Sequence, residues 1–191
     1  MHPSNPQKNQ GDHTEKQFSL LALRYGWTAT PSSDYENMRE HIDFHLAKAE
    51  RNHPVDVKGM KALSRSNAVV QDDWHVVEFI AVGFPRQKTW TYRPPFDPAL
   101  PDFTAGSGRA GWVYGRADFI AFETKAQWLF VPPKELIAEC IRIVDFQNVA
   151  SYARDAQYKV YSRPERGDLI TLVHKSDLRG LSVGAWNKSK M

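Results

Sequence analysis

Cysteine is almost missing from this chain: Cys140 is the only one in 191 residues. A single thiol excludes an internal disulfide and any zinc site built from several thiolates of one chain. It falls in the apolar helical stretch Leu136-Ile137-Ala138-Glu139-Cys140-Ile141, where a buried, unreactive thiol is expected. Long apolar runs are missing too, since none approaches the ~20 residues that span a bilayer. Met1 to Asn9 is polar and carries prolines, unlike a signal sequence, so the expectation is a cytoplasmic protein with no membrane partner. Excess charge is slight: 25 Lys and Arg stand against 22 Asp and Glu, a net of +3. The resulting pI near 8.9 permits a nucleic-acid partner without requiring one. What is present, 41% hydrophobic and 25% charged residues, excludes global disorder, and the length suits one domain with a real core.

Residues 1–13 show no apolar period and read as a flexible arm, the domain proper being 14–180 and residues 181–191 a frayed tail. Thr14 is a candidate cap for a helix in which Phe18, Leu21, Ala22 and Tyr25 recur at helical spacing, with Gly26 as the stop. Glu15 shares the side of Phe18 and Ala22. Past a turn around Thr30 to Ser33, His41 to Leu46 alternates as a half-buried strand, Ile42, Phe44 and Leu46 on one face and His41, Asp43 and His45 on the other. A polar loop, Ala49 to Pro54, leads to Val55-Asp56-Val57-Lys58-Gly59, in which Asp56 and Lys58 share a face. As antiparallel neighbours these strands set Asp43 beside Asp56 and Lys58. Further strands are expected at 74–82, 112–123, 128–131, 158–161 and 169–173, and a helix at 134–145. Residues 83–110, rich in Pro, Gly and aromatics, are too long for a turn and read as a functional loop or insertion.

Two strand carboxylates suit a hard divalent ion such as Mg²⁺ or Mn²⁺, which takes few protein oxygens and keeps waters and substrate phosphate in its shell. Asp43 and Asp56 are the candidate metal ligands, with the Val57 carbonyl as a further oxygen and Glu15, from the helix, completing the shell or binding a second ion. Lys58 is placed to orient an attacking water or stabilise developing negative charge. Asp43, Asp56, Lys58 and Glu15 form the candidate catalytic set.

In Glu15-Lys16-Gln17-Phe18, Ile42-Asp43-Phe44 and Val55-Asp56-Val57-Lys58-Gly59 the chain resembles the PD-(D/E)XK nuclease superfamily. Gly115 to Phe122 and the strand ending Phe130-Val131-Pro132 are similar to later strands of such domains. Where the family pattern has a helix after its acidic-x-Lys strand, Ala62 to Asp73 is short and polar. The resemblance implies a single-domain α/β fold, a restriction-endonuclease-like mixed β-sheet flanked by helices. It also implies a Mg²⁺-dependent endonuclease cutting DNA, double-stranded or branched, with dimerisation compatible because cutting both strands commonly uses two sites. The alternative is a catalytically inactive nucleic-acid-binding or interaction module on the same fold.

Rival signals are weaker. His41-x-Asp43-x-His45 lines three potential metal ligands along one strand face, but consecutive same-face positions are spread too widely to converge on one ion. Asp118 with Glu123-Thr124-Lys125 puts its carboxylates too far apart along one strand. His75 and Glu78 sit in a strand near the core. Candidate phosphate contacts are Lys61 and Arg65, then Arg86, Lys88, Arg93, Arg109 and Arg116, which are interleaved with aromatics able to stack on bases.

Overall fold

Alternation along two neighbouring strands fixes the centre of the fold. Phe44 is buried opposite Val55, with Leu46 and Val57 buried on the same face, while Lys48 and Arg51 are left to solvent. The computed structural model describes residues 6–62, 70–83, 108–163 and 167–190. Its regular elements are α1 (Pro6–Arg24), β1 (Thr28–Pro31), β2 (Phe44–Lys48), β3 (Arg51–Lys58), β4 (Trp74–Gly83), β5 (Gly108–Ala110), β6 (Phe119–Glu123), β7 (Gln127–Val131), α2 (Pro133–Ile143), β8 (Asp145–Val149), β9 (Lys159–Tyr161), β10 (Leu169–His174), α3 (Lys175–Leu181) and β11 (Gly184–Asn187). No helix here is long and apolar enough to cross a membrane. The mixed α/β architecture is as expected, with the strands shared between two sheets and the chain between two compact units.

The first unit draws on residues 1–60, 116–132 and 182–191 and holds the sheet β1-β2-β3-β6-β7-β11. All neighbours are antiparallel except β3 and β6, which run parallel with Asp56 against Ile120 and Lys58 against Phe122. Phe18 on α1 is fully buried in its core, 5.1 Å edge-on from Trp128 and 5.5 Å from the stacked ring of Trp186. α1 ends where Gly26 turns left-handed (φ 74), the Trp27 N–H bonding back to the Ala22 carbonyl and the Gly26 N–H to that of Leu23. This is the Schellman closure that glycine favours.

Three expectations change here. The helix begins at Pro6, not Thr14. Its first turns are polar, so no period marked them, and Pro at a first helical position needs no N–H partner. Thr14 is no cap: it lies within the helix, 8% exposed. The polar loop before Val55 shrinks to Ala49-Glu50, because Lys48 already pairs with Arg51, and Ala49 takes the positive φ (52) of a tight hairpin. The supposed tail carries β11, whose Trp186 pairs with Trp128 and completes the core edge.

The second unit, from 61–115 and 133–181, carries the sheet β5-β4-β10-β9-β8, in which only β8 and β9 are parallel. α2 buries Leu136 and Cys140 as its period requires, and burial pushes the Cys140 thiol up to about 12, leaving it unreactive. Asp168, 1% exposed, is neutralised by the Arg163 guanidinium and also accepts the Arg163 backbone N–H at 2.9 Å. His75 is buried with its Nε2 3.2 Å from the Asp72 carbonyl, a structural role. The expected strand at 112–123 is shorter: a 3-10 turn occupies Trp112–Tyr114, and β6 starts only at Phe119.

Candidate active site

Asp43 immediately precedes β2, and the pairing Phe44 with Val55, carried one step further, sets Asp43 opposite Asp56. The Asp43 N–H donates to the Val55 carbonyl at 2.9 Å, and the Val57 N–H donates to Asp43 Oδ2 at 2.7 Å. The carboxylate is thereby clamped across the strand pair. On β3, Val55 and Val57 enter the core while Asp56 and Lys58 take the other face, as the alternation predicts.

Asp56 is only 2% exposed. Lys58 Nζ donates to its Oδ1 at 2.5 Å, but Oδ2 is buried with no hydrogen-bond partner. Burial is the main force raising its pKa, from 3.8 to about 8; the Lys58 ammonium opposes it and the neighbouring Asp43 carboxylate adds to it. Glu15 is also raised, first by burial, then by the negative charge of Asp43 and of Asp12, with Lys58 pulling the other way. Asp43 and Lys58 act on both Glu15 and Asp56, so the fold brings the four side chains into one electrostatic neighbourhood. Ionising all three acids around one ammonium would leave a deficit of positive charge.

The approach of α1 to this site depends on Gly59. A Cβ there would lie 2.7 Å from Thr14 Oγ1 and 2.9 Å from Thr14 Cγ2, so a glycine after Lys58 lets the helix carry Glu15 in beside the strand end. Glu123 on β6 fixes the chain just beyond, accepting the Met60 N–H at 3.1 Å while paired with Lys188 at 2.6 Å.

A divalent ion fits the donor set in a restricted way. Asp56 Oδ2, Asp43 and the Val57 carbonyl are hard oxygens, and the orphaned Oδ2 is an acceptor in need of a positive partner. Among the described residues no group of three or more His, Cys, Asp or Glu side chains gathers as a metal site. Glu15 therefore stands beside the aspartate pair rather than closing a three-carboxylate shell. The His41-x-Asp43-x-His45 line breaks up as well. His41 takes a left-handed conformation (φ 54) ending the turn before β2, and His45 Nε2 lies 3.0 Å from Glu36 Oε1.

One contributor was missed in the sequence. Asn37 Nδ2 donates to Asp43 Oδ1 at 2.7 Å from a helical turn that ends in a π-helical stretch, Glu36–Glu40. Its start was legible, because Ser33-x-x-Glu36 is a capping box. The Ser33 N–H donates to Glu36 Oε2 at 2.9 Å and the Glu36 N–H to Ser33 Oγ at 3.3 Å. These donors, with His45, hold the Glu36 carboxyl down at about 2. Arg116, expected on phosphate, instead binds the end of this turn, its Nη1 2.9 Å from Glu40 Oε1 and its N–H 2.7 Å from the Glu40 carbonyl. Asp118 of the rejected acidic run pairs with His53 at 2.9 Å. Lys61 and Arg109 are exposed, as phosphate contacts should be, but they belong to the second unit. Arg65, Arg86, Lys88 and Arg93 lie outside the described residues.

No protein-family model and no curated protein matches the chain. Among solved structures, a bacterial homing endonuclease is similar at 16% identity and a TM-score of 0.42, over 70% of this chain and 74% of that one. So distant a likeness carries no function across.

Proposed function

We propose that the chain is a metal-dependent DNA endonuclease of PD-(D/E)XK type, hydrolysing phosphodiester bonds with Mg²⁺ or Mn²⁺. The observation that supports it most is the buried, partnerless Oδ2 of Asp56, set across the strand pair from Asp43 with Lys58 on the same face. Asp43, Asp56 and the Val57 carbonyl would hold the ion, which when bound would supply positive charge against the phosphate and make a bound water more acidic. Asp43 is kept in one orientation by the Val57 and Asn37 donors. Lys58, on the same face as Asp56, would donate to the attacking water or to the charge developing on phosphate. Glu15, its pKa raised first by burial and then by Asp43, would stand beside the aspartate pair and support the site from the helix. Such a site is compatible with a homodimer cutting both strands.

The test is purified protein on supercoiled, linear, single-stranded and branched DNA, with Mg²⁺, Mn²⁺ or chelator. Cleavage is expected only with the ion and is expected to vanish in Asp56→Ala and Lys58→Ala. Cleavage unchanged in both variants would overturn the assignment. Metal-independent DNA binding without cleavage in the wild type would favour a non-catalytic module.

A further inference from the structure

A second site lies on the other face of the first unit's sheet. Beyond Gly26, where α1 stops, that face is not covered by the helix, and a groove of about 250 Å³ opens there. Rings enclose it in a closed circuit. Trp27 stands 6.1 Å from His53, His53 5.2 Å from Phe119, Phe119 6.5 Å from Phe130, Phe130 4.6 Å from Trp186, and Trp186 6.5 Å from Trp27. The register explains the circuit: His53 and Phe119 sit at odd positions of β3 and β6, the face α1 packs on, whereas Asp56 and Lys58 sit at even positions. The groove is therefore distinct from the carboxylate site.

Aromatic walls accept either a cation or a flat neutral ring, and the rim decides between them. Arg51 lines the groove, is exposed, and has no carboxylate partner among the described residues. Lys48 Nζ adds a second positive charge 5.7 Å from the Trp27 ring. Of the acids near it, Asp118 is engaged by His53, and Glu50, exposed beside Arg51 in the hairpin turn, leaves the two cations in excess. This rim repels a cation and attracts an anion carried on a flat ring. The volume suits one ring system, not a duplex, which is wider than the whole groove.

We propose that this groove binds a single unstacked nucleotide, its base against the half-buried Trp27 and Phe119 rings over a floor of the buried Phe130 and Trp186, and its phosphate on Arg51. The ligand's identity draws on the nucleic-acid reading above, but its binding needs neither metal nor cleavage. Full-length protein in chelator is titrated with deoxyadenosine monophosphate and with deoxyadenosine, followed by aromatic NMR shifts. The monophosphate is expected to bind about tenfold tighter than the nucleoside, and Arg51→Ala to erase that difference while leaving the nucleoside unchanged. Gly184 on β11 lines the groove, and a Cβ there meets nothing within 4 Å, so Gly184→Leu starts from open space and is expected to occupy the site and abolish binding of both ligands. Equal affinity for the two ligands, no binding at all, or binding undiminished in a folded Gly184→Leu variant overturns the proposal. If Gly184→Leu does not fold, the exposed Arg51 substitution carries the test alone. Concentration-dependent dimerisation that Gly184→Leu abolishes overturns it too, identifying the occupant as a second copy of this chain. Asp56→Asn is expected to bind the monophosphate as the wild type does, so loss of cleavage and loss of this site are separately visible.

Discussion

Replacing Asp56 by Asn is expected to make the metal-free protein more stable while removing its activity. Asp56 is 2% exposed with one oxygen unpartnered, so its charged form is costly in the fold. Below pH 3.8 the carboxyl is neutral in the folded and unfolded chains alike. Between 3.8 and about 8 the unfolded chain has released the proton that the folded chain retains, so stability falls as pH rises through that window. Above about 8 both forms are ionised and the penalty is complete. At about 1.4 kcal/mol per pKa unit the ceiling is on the order of 5 kcal/mol, and relaxation of Lys58 should reduce the measurable part to about 2 kcal/mol. Asparagine carries no charge and supplies an N–H₂ toward Asp43, so its pH dependence across the window should be flatter. The measurement is urea unfolding in chelator at pH 5, 7 and 9, read as wild type minus variant, and repeated with Mg²⁺. Saturating Mg²⁺ should return stability to the wild type alone. Parallel pH profiles for the two proteins, or a variant less stable than wild type at pH 9, would refute the account of Asp56 as a strained anion awaiting a cation.

Phe18→Ala should cost about 3 to 5 kcal/mol in chemical denaturation, because Phe18 is fully buried against Trp128 and Trp186, and a loss below 1 kcal/mol would place the core of the first unit elsewhere. Gly59→Ala should cost about 1 to 3 kcal/mol through its overlap with Thr14, and Thr14→Ala in the same chain should restore most of the loss; strict additivity in that double-mutant cycle would show the contact to be irrelevant. Asn37→Ala removes an exposed donor to Asp43, so melting should change by less than about 1 kcal/mol while the Mg²⁺ concentration for half-maximal cleavage rises roughly tenfold. An unchanged metal requirement would sever Asn37 from the site.

The central hairpin was legible because period-two burial is a strong local signal. Ile42, Phe44, Leu46, Val55 and Val57 mark one face, and the acids and Lys58 follow on the other without further assumption. Elements lacking such a signal were not legible. β11 reads as a tail, since Gly184-Ala185-Trp186-Asn187 has one apolar anchor, and only the pairing of Trp186 with Trp128 makes it a strand. β1 is four residues long with little buried surface, and its identity comes from its partner β2. The polar start of α1 lacked any periodicity. Asn37 escaped for another reason: its role exists only once the capped turn places it over Asp43. Arg116 pairs with Glu40 while its side chain stays largely exposed, a placement that a basic residue among aromatics does not announce in the sequence.

The interactions that build the carboxylate site differ in kind from those that build the core beneath it. Val55 and Val57 gain stability by burial, whereas Asp56, one residue away on the same strand, loses it by the same burial. A sequence shaped by stability alone would place an apolar side chain at that position, since a buried ion pair rarely outperforms a packed hydrocarbon. The Lys58 contact reduces the loss but satisfies only one of the two oxygens. Asp43, already holding the Val57 and Asn37 donors, adds like charge instead of relief. Gly59 then gives up β-strand propensity so that the helix can bring a third acid near. Each choice runs against local stability in the same direction, toward negative charge gathered at one strand end. A cation bound there, as proposed, would offset all of them at once.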